Sequence, residues 1–276
     1  MGGEHTIGQL CETLMVSRSG YYAWRRGRGR PSPRARANAE LSQRIRDSFE
    51  RSRGTYGSPR IAHDLGCPGR RNRIARLMRG ARLRARRLSK YRPVTTDSQH
   101  TDPIAPHRLQ GLKATRLNQA WATDVTHVLT AQGWIYLTAV LDLYSRRVIG
   151  WSMAGVLDAN LVVEALKMAI AQRRPETAVI VHSDQGRPFA SRLYRQTLAA
   201  HGLLASMSRK GNCYDNAFIE SFWSSLKIEL MPRGRFGSAA FARSAIFQYI
   251  EGFYNRRRLH SSLGYRSPLD FESQLN

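Results

Sequence analysis

The amino-acid sequence predicts an α/β protein: a mixed sheet with the element order βββαβαβα, preceded by an all-helical and strongly basic region. The 276 residues suffice for one large domain or two modest ones, and 42% of them are apolar, which is enough to form a buried core. Residues 1–95 contain 23 basic and 6 acidic side chains. After Asn118, helical periodicity gives way to runs rich in β-branched and aromatic residues, which are typical of strands.

The formal net charge of +24 is the property that most restricts the function. A surplus of this size destabilises a compact protein through self-repulsion unless a polyanion neutralises it. Nucleic acid is the first candidate, because phosphate contacts release counterions. A ribosomal protein or another basic scaffold is the alternative. A membrane is not expected as a partner, because the sequence has neither an amphipathic anchor nor a run of 18 apolar residues.

Cysteine usage and the N-terminal sequence indicate the compartment. The three cysteines are sparse and odd in number, which argues against a secreted disulfide framework. None of them has a His or Cys at the spacing of a zinc site, and the N-terminus lacks the apolar core of a signal peptide. We therefore expect a cytoplasmic, nucleoid-associated protein.

Helical segments with basic connections dominate the first 95 residues. Residues 1–36 are predicted to form an N-terminal helical segment and a basic linker, and residues 37–95 a helix–turn–helix region with helices at 38–52, 59–65 and 71–80. In such a region the last helix enters the major groove, and here it carries the candidate DNA-binding residues Arg71, Arg73, Arg76 and Arg79. A generic basic three-helix bundle is the alternative. Residues 96–118 contain prolines and are predicted to be a linker.

The elements of the mixed sheet begin at residue 119. A three-stranded antiparallel meander is followed by a helix, a strand, a helix, a strand and a helix, with predicted bounds of 120–129, 134–143, 147–153, 159–172, 178–182, 189–201, 203–206 and 214–230. This is the order of the ribonuclease H-like fold, so residues 119–235 are predicted to form its catalytic core. A helix at 239–254 opens a C-terminal region, residues 236–276, that ends in a basic tail.

Two aspartates occupy unusual places in these strands. Asp124 lies inside a β-rich run, where Asp is disfavoured and is costly if it is buried without a partner. Asp184 lies just beyond the end of a short apolar strand, where α/β sheets present their ligands. An exposed strand face would also explain Asp124, and a helix N-cap or a turn would explain Asp184. Each aspartate taken alone is therefore ambiguous.

The predicted helix at 214–230 has a polar and an apolar face. At 100° per residue, the polar stripe comprises Asn216, Glu220, Ser224 and Lys227. The opposite face, which is predicted to pack on the core, comprises Phe218, Phe222, Leu226 and Leu230. A solvated surface is the alternative explanation for the polar stripe.

The three acids Asp124, Asp184 and Glu220 are more informative together. They are separated by 59 and 35 residues, and acids on a first strand, beyond a fourth strand and on a later helix can converge at one edge of such a sheet. Carboxylate oxygens are the ligands that hard divalent cations prefer. Two Mg²⁺ ions can activate the attacking oxygen and stabilise the leaving oxygen of a phosphodiester displacement. The pattern therefore predicts a two-metal site.

Several motifs resemble one family. The segments WATDVTHV, HSDQGRPF and DNAFIESFWSSLKIEL resemble the catalytic core shared by retroviral integrases and the OrfB-type transposases of the insertion-sequence-three family. The segments LDLYSRRVIGW and YNRRRLHSSLGYRSP are similar to the same family, and VSRSGYYAW, YGSPRI and RNRIARLMR are similar to its helix–turn–helix segment. Nothing in the sequence matches the N-terminal His/Cys zinc module of retroviral integrases, which favours the bacterial transposases.

This resemblance implies a DDE transposase that cleaves DNA at the ends of an insertion sequence and joins the freed 3′-hydroxyl to a second phosphodiester. It implies that Asp124, Asp184 and Glu220 are catalytic and hold two Mg²⁺ ions, for which Mn²⁺ can substitute. Lys227 is assigned to a DNA phosphate near the cut. Asn216 is assigned either to orienting Glu220 or to contacting DNA.

Three other features near these motifs have weaker assignments. Asp142 is interpreted as structural, with a role as substitute ligand as the alternative. His182 is interpreted as a neighbour of the metal site rather than a ligand, because imidazole is a poor donor to Mg²⁺. The tail is predicted to contact the DNA backbone, or else to be a solvated helix end, through Tyr254, Asn255, Arg256, Arg257, Arg258 and His260.

The implied partner is double-stranded DNA, both at the element ends and at the target. Joining two ends favours a homo-oligomer on DNA, and members of the family are often made as a fusion with an upstream frame. Two other functions remain open from the sequence: a non-enzymatic DNA binder, and a ribonuclease H-type nuclease that only hydrolyses.

Overall fold

The computed structural model describes residues 5–29, 31–86, 101–209, 216–231 and 235–275. The chain divides into two compact units, Met1–Ala85 and Arg86–Asn276, and each unit has its own core. Across the described residues, no helix combines the length and the apolar character that crossing a membrane requires.

The first unit consists of helices, and their bounds are α1 Ile7–Thr13, α2 Arg18–Gly27, α3 Pro33–Arg51, α4 Ser58–Asp64, a 3₁₀ turn Pro68–Arg70 and α5 Arg71–Gly80. The predicted basic linker before residue 37 is largely wrong, since α2 ends at Gly27 and α3 begins at Pro33. Ser32 caps α3 by accepting a hydrogen bond from the backbone N–H of Ala35, and Pro33 suits the first helical position. These local signals outweigh the basic composition.

The three helices α3, α4 and α5 share a small apolar core. The buried residues Leu41 and Ile45 on α3 alternate with solvated positions at helical spacing, as do Ile74 and Met78 on α5. Ile61 on α4 is fully buried. The predicted helices 38–52, 59–65 and 71–80 are confirmed, with α3 starting five residues earlier than predicted.

The second unit is built on a five-stranded sheet whose strands are β1 Ala120–Thr130, β2 Gly133–Asp142, β3 Val148–Ala154, β4 Ile180–Ser183 and β5 Leu204–Met207. Their order across the sheet is β3-β2-β1-β4-β5. β1, β2 and β3 are antiparallel neighbours, whereas β4 and β5 run parallel to β1. The predicted mixed sheet and its element order are confirmed, and most strand ends shift by one or two residues.

The helices of the second unit are α6 Ala159–Arg173, α7 Arg187–Ala190, α8 Arg192–Ala200, α9 Ala217–Glu229, α10 Ala239–Phe247 and α11 Pro268–Glu272, with a π-helix at Gln248–Tyr254 and a 3₁₀ turn at Ser261–Leu263. The helix predicted at 189–201 is interrupted at Ser191, which has extended backbone and caps α8. The α-helix predicted at 239–254 is wrong in its last seven residues, where the wider π turn places four aromatic or apolar side chains in the core: Tyr249, Ile250, Phe253 and Tyr254.

Helix α6 packs closely on the sheet at Gly150 of β3. A Cβ atom on this glycine would lie 2.2 Å from the carbonyl oxygen of Ala165 and 2.7 Å from the backbone nitrogen of Ala169. Both contacts are with helix backbone, which cannot move aside as a flexible side chain could. A side chain at position 150 would therefore push α6 away from the sheet.

The described part of the predicted linker, residues 101–118, has irregular backbone but packs against the sheet. The backbone N–H of Arg108 donates to Ser206 Oγ on β5 at 2.8 Å, and the ring of His107 lies edge-on to His182 with centroids 5.2 Å apart. These contacts make the segment part of the second unit. The prediction of a simple linker is therefore wrong for these residues.

The region after α9 is tied to the core by a buried ion pair. Glu229, at the end of α9, accepts hydrogen bonds from the guanidinium of Arg258 at 2.9–3.0 Å and from the hydroxyl of Tyr249 at 2.8 Å. Arg258 also donates to Ser225 Oγ at 2.7 Å. Both charged side chains are almost fully buried, so their charges must be neutralised within the protein.

Two further contacts attach this region to the corner between β2 and β3. The side-chain amide of Asn255 accepts from the N–H of Val148 at 3.0 Å and donates to its carbonyl at 2.9 Å, as a neighbouring strand would. Glu272 on α11 pairs with Arg147, at 2.7 Å, and with Arg173 of α6. The C-terminal region is therefore part of the architecture of the sheet.

The buried ion pair generates a stability prediction. Arg258→Met leaves Glu229 buried without its cation, and we expect the free energy of unfolding of the second unit to fall by about 3–5 kcal/mol. The matched control is Arg256→Met, which removes an exposed arginine two residues earlier and should change it by less than about 0.5 kcal/mol. Urea unfolding followed by tryptophan fluorescence measures both variants. Equal losses in the two variants would contradict the assignment.

Candidate active site

The pairing of β1 with β4 brings Asp124 and Asp184 together. The parallel register pairs Ala122 with His182, and each aspartate lies two residues further along its own chain. Extending this register places the two acids side by side on neighbouring segments, which are about 4.8 Å apart in a sheet. Because β4 ends at Ser183, Asp184 lies just past the strand end, as predicted.

Helix α9 brings the third acid towards this pair. The pKa of Asp124 is raised to about 7, mainly by desolvation in the surrounding protein and next by the negative charge of Asp184. Glu220, in the first turn of α9, adds a smaller increase. A like charge disfavours the ionised form only when it is close, so Asp124 has both other acids as electrostatic neighbours.

Two hydrogen bonds orient the aspartates. The indole Nε1 of Trp223 on α9 donates to Asp124 Oδ2 at 3.0 Å, and the backbone N–H of Gly186 donates to Asp184 Oδ1 at 2.9 Å. Within the described ranges, no group of three or more His, Cys, Asp or Glu side chains lies close enough together to hold a metal ion, and these three acids are no exception. The site is an open group of mutually repelling carboxylates.

Lys227 lies near the acids, two turns after Glu220 on the same helix. Desolvation lowers its pKa, and the negative charge of Asp124 opposes that decrease. The pKa of His127 on β1 is lowered by desolvation and, to a smaller extent, by the positive charge of Lys227. The side chain of Lys227 is nevertheless exposed. It therefore combines access to solvent with proximity to the carboxylates.

The two faces of α9 differ from the prediction at their N-terminal end. Asn216 is not part of an exposed stripe: it is the N-cap residue of α9 and only 8% exposed, a position that does not suit a DNA contact. Phe218 is not in the core but 43% exposed, with the guanidinium of Arg146 stacked 4.2 Å from its ring centroid. Ile219 and Trp223 take the buried positions instead, because the helix is rotated relative to the predicted face.

Two other polar side chains are structural. Asp142 is buried and accepts three backbone N–H groups, from Asn118, Tyr144 and Ser145, at 2.9–3.0 Å. Both carboxylate oxygens of Asp142 are engaged by these bonds, which stabilise the turn after β2. This agrees with the structural interpretation of Asp142. His182 is also buried, and its Nδ1 lies 2.9 Å from Ser206 Oγ on β5, directed towards β5.

In the first unit, the predicted DNA-binding arginines of α5 fall into two groups. Arg71, Arg76 and Arg79 are exposed. Arg73 is half-buried, and its Nε and Nη2 donate to Asn38 Oδ1 on α3 at 3.0 and 2.8 Å. Among the described residues, an open cleft of about 520 Å³ between α3 and α5 is lined by Arg34, Ala37, Asn72, Arg73 and Arg76.

The predicted DNA-contacting tail is mostly buried. Tyr254, Asn255 and Arg258 lie in the core of the second unit, where they make the contacts described above. Arg256 and Arg257 are exposed. The prediction of DNA contacts is wrong for Tyr254, Asn255 and Arg258, because all three side chains are buried within the protein.

Sequence reasoning missed Trp223, Arg34 and Asn72. The signal for Trp223 was its place three residues after Glu220, which puts both residues on adjacent turns, together with the need of a buried indole N–H for an acceptor. Arg34 and Asn72 gave no signal, since their common cleft depends on how α3 packs against α5.

Comparisons with known proteins agree with this architecture. Two family models described as "Integrase core domain" match residues 114–213 and 201–268, and an "HTH-like domain" model matches residues 36–91. A solved simian T-cell lymphotropic virus intasome in complex with PP2A regulatory subunit B56 gamma is similar over 73% of this chain and 66% of that chain. At 14% identity and a TM-score of 0.49, this likeness is too distant to bear on function.

Two curated relatives are similar over nearly their whole length. Transposase InsF for insertion sequence IS3A from Escherichia coli (strain K12) is 41% identical over 275 residues, which is 98% of this chain and 95% of the relative. The insertion element IS600 uncharacterized 31 kDa protein from Shigella sonnei is 41% identical over 269 residues, 96% and 98% of the two chains. The chain therefore belongs to the insertion-sequence-three family of transposases, polynucleotidyl transferases with an integrase core that act in DNA transposition.

Proposed function

We propose that this transposase cleaves the ends of its insertion sequence and transfers the freed strands to target DNA with two Mg²⁺ ions held by Asp124, Asp184 and Glu220. The observation that carries the proposal is the β1–β4 register, which pairs Ala122 with His182 and, continued by two residues, supports Asp124 and Asp184 as neighbours. The electrostatic effect of Glu220 on Asp124 supports adding the third acid.

The donor set fits a divalent cation of this kind. All three groups are carboxylates, which hard cations prefer over imidazole or thiolate, and their mutual repulsion is what a cation would relieve. Mn²⁺ should substitute because it accepts the same oxygen ligands. When bound, the ions supply Lewis-acid activation of the attacking oxygen and stabilisation of the leaving oxygen.

The protein's own residues position the DNA for two successive in-line displacements at phosphorus. In the first, water attacks the phosphodiester at the element end and the 3′-oxygen leaves as a hydroxyl. In the second, that 3′-hydroxyl attacks the phosphorus of a target phosphodiester, and the 3′-oxygen of the target strand leaves as a hydroxyl. Lys227, exposed beside Asp124, binds a phosphate next to the reacting one, and buried Asn216 supports the start of the helix that carries Glu220.

The DNA-binding role of the first unit is assigned to the cleft between α3 and α5. Three guanidinium groups line it, those of Arg34, Arg73 and Arg76, and no carboxylate is among the five residues that line it in the described structure. Asn38 binds Arg73 through a neutral amide oxygen, so this contact does not neutralise the positive charge of the Arg73 guanidinium. A phosphodiester is the ligand whose charge and oxygen acceptors match this cleft.

Exposed arginines outside the cleft, in each unit separately, are further candidates for DNA contacts. Arg71 and Arg79 on α5 are assigned to the DNA groove, and Arg256 and Arg257 in the second unit to backbone phosphates. Joining two ends requires two copies of the chain on DNA, so we include a homo-oligomer and production as a fusion with an upstream frame in the proposal. The basic surplus of +24 supports association with the nucleoid.

The metal assignment is tested by Asp184→Asn, with strand cleavage and joining measured in Mg²⁺ on duplexes that carry the ends of the element. Losing one ligand should remove several kcal/mol of transition-state stabilisation, which corresponds to a rate roughly 1,000-fold lower. The control is Glu164→Gln, an exposed acid on α6 that pairs only with Lys167, and its rate should be unchanged.

The same assay separates the proposal from its alternatives. Joined product that persists at the wild-type rate in Asp184→Asn contradicts the metal assignment. Cleavage without joining in the wild type indicates a hydrolytic nuclease. Binding without either reaction in the wild type indicates a non-enzymatic DNA binder.

The cleft is tested by the salt dependence of binding to a random-sequence duplex. Arg76→Ala should weaken binding at every sequence and reduce the slope of log K against log[NaCl] by about 1, because one phosphate contact is lost. The control Arg46→Ala removes an exposed arginine on α3, about 18 Å along the helix from Arg34, and should leave the slope within error. Identical slopes for Arg76→Ala and the wild type would refute the phosphate site.

A further inference from the structure

One hydrogen bond connects the first strand of the sheet with the helix that carries the third acid. Trp223 is 5% exposed, and its indole N–H donates to Asp124 Oδ2 at 3.0 Å. Its ring also packs against Phe222, with centroids 4.8 Å apart, and Phe222 packs edge-on against Tyr254. The indole is therefore held by its packing as well as by its acceptor.

We propose that Trp223 is a positioning residue for the metal site, which fixes both the orientation of the Asp124 carboxylate and the place of Glu220 relative to it. The inference rests on the proposed two-metal function, since it concerns how the ligands of that site are held. Glu220 and Trp223 are three residues apart, so they lie on neighbouring turns of α9. A bond from Trp223 to Asp124 therefore also limits how far Glu220 can move from Asp124.

The geometry of the donor explains why an indole suits this place. Its single N–H can engage only one carboxylate oxygen, so Oδ2 is held while Oδ1 remains outside this bond. Tryptophan carries no positive charge. Unlike Lys or Arg, it therefore orients the Asp124 carboxylate without competing with a metal cation for the negative charge of that carboxylate. Partners that hydrogen-bond to ligating carboxylates in this way typically change metal affinity 10- to 100-fold when they are removed.

The chain offers a matched pair of substitutions for the test. Trp223→Phe keeps an aromatic ring but removes the donor. Trp151→Phe makes the same change at a second indole of the unit, whose Nε1 donates to Glu251 Oε1 at 3.1 Å. The two variants lose the same type of indole–carboxylate hydrogen bond, but only the first loses it at the proposed metal site.

Binding of Mn²⁺ to the full chain without DNA, measured by electron paramagnetic resonance of the free ion, is the decisive readout. We expect an affinity about 10- to 100-fold weaker in Trp223→Phe, and wild-type affinity in Trp151→Phe. In strand cleavage measured over a range of DNA concentrations, kcat should fall in Trp223→Phe while KM for DNA stays unchanged, because the indole is buried.

The outcomes distinguish this inference from the proposed function. Wild-type affinity for Mn²⁺ in a folded Trp223→Phe variant overturns the positioning role and leaves the metal site intact. If the wild type itself binds no Mn²⁺, the two-metal proposal fails first. Should Trp223→Phe not fold, the wild type labelled with ¹⁵N at the indole nitrogens answers the question: Mg²⁺ should shift the Trp223 signal and not that of Trp151, and an unmoved Trp223 signal refutes the inference.

Discussion

The parallel pairing between β1 and β4 is the constraint on which the catalytic edge depends. Three residue pairs join these strands, the last of them Ala122 with His182, and continuing this register by two residues brings Asp124 opposite Asp184. A slip by one residue would turn the side chains of β4 to the other face of the sheet and separate the two acids. β4 reaches its place through the crossover helix α6, and the close contact at Gly150 holds that helix against the sheet. Gly150 on β3 thus affects the position of Asp184, because its lack of a side chain lets α6, and with it β4, pack in this place.

Helix α9 is fixed at two places that serve different purposes. In its middle, Trp223 binds Asp124, and at its end Glu229 is buried against Arg258. The first contact relates the helix to the sheet edge, and the second fastens it to the C-terminal region. The motif that begins at Tyr254 therefore holds α9 in place through its buried residues, while Arg256, Arg257 and Arg266 lie on its exposed side. A segment that looks like a basic tail in the sequence thus serves mainly to attach α9 to the C-terminal region.

The sequence was sufficient for the features that depend on local pattern. The order of strands and helices along the chain, the helix that carries Glu220 and the edge position of Asp184 follow from periodicity and from the place of an acid in an apolar run. It was not sufficient where packing decides. Phe218 is exposed because the rotation of α9 about its axis is not encoded in an idealised 100° step, and Asn216 is buried as the N-cap that precedes the helix. Arg258 and Arg256 are nearly adjacent and chemically identical, and only the distant Glu229 determines which of them is buried. Ser32 and Pro33, by contrast, were local signals of a helix start that the basic composition of the segment obscured.

The contact of Glu272 with Arg147 and Arg173 has a consequence for shortened copies of the gene. A reading frame interrupted between codons 230 and 272 still encodes every proposed catalytic acid and the whole of α9. Its product nevertheless keeps two largely buried guanidinium groups without their counter-ion, at the corner where β3 and α6 meet. Such a copy would look intact at its catalytic motifs and yet encode a weakened sheet. The catalytic motifs alone are therefore a weak criterion for whether a genomic copy can still transpose. The presence of Glu272 should be checked as well.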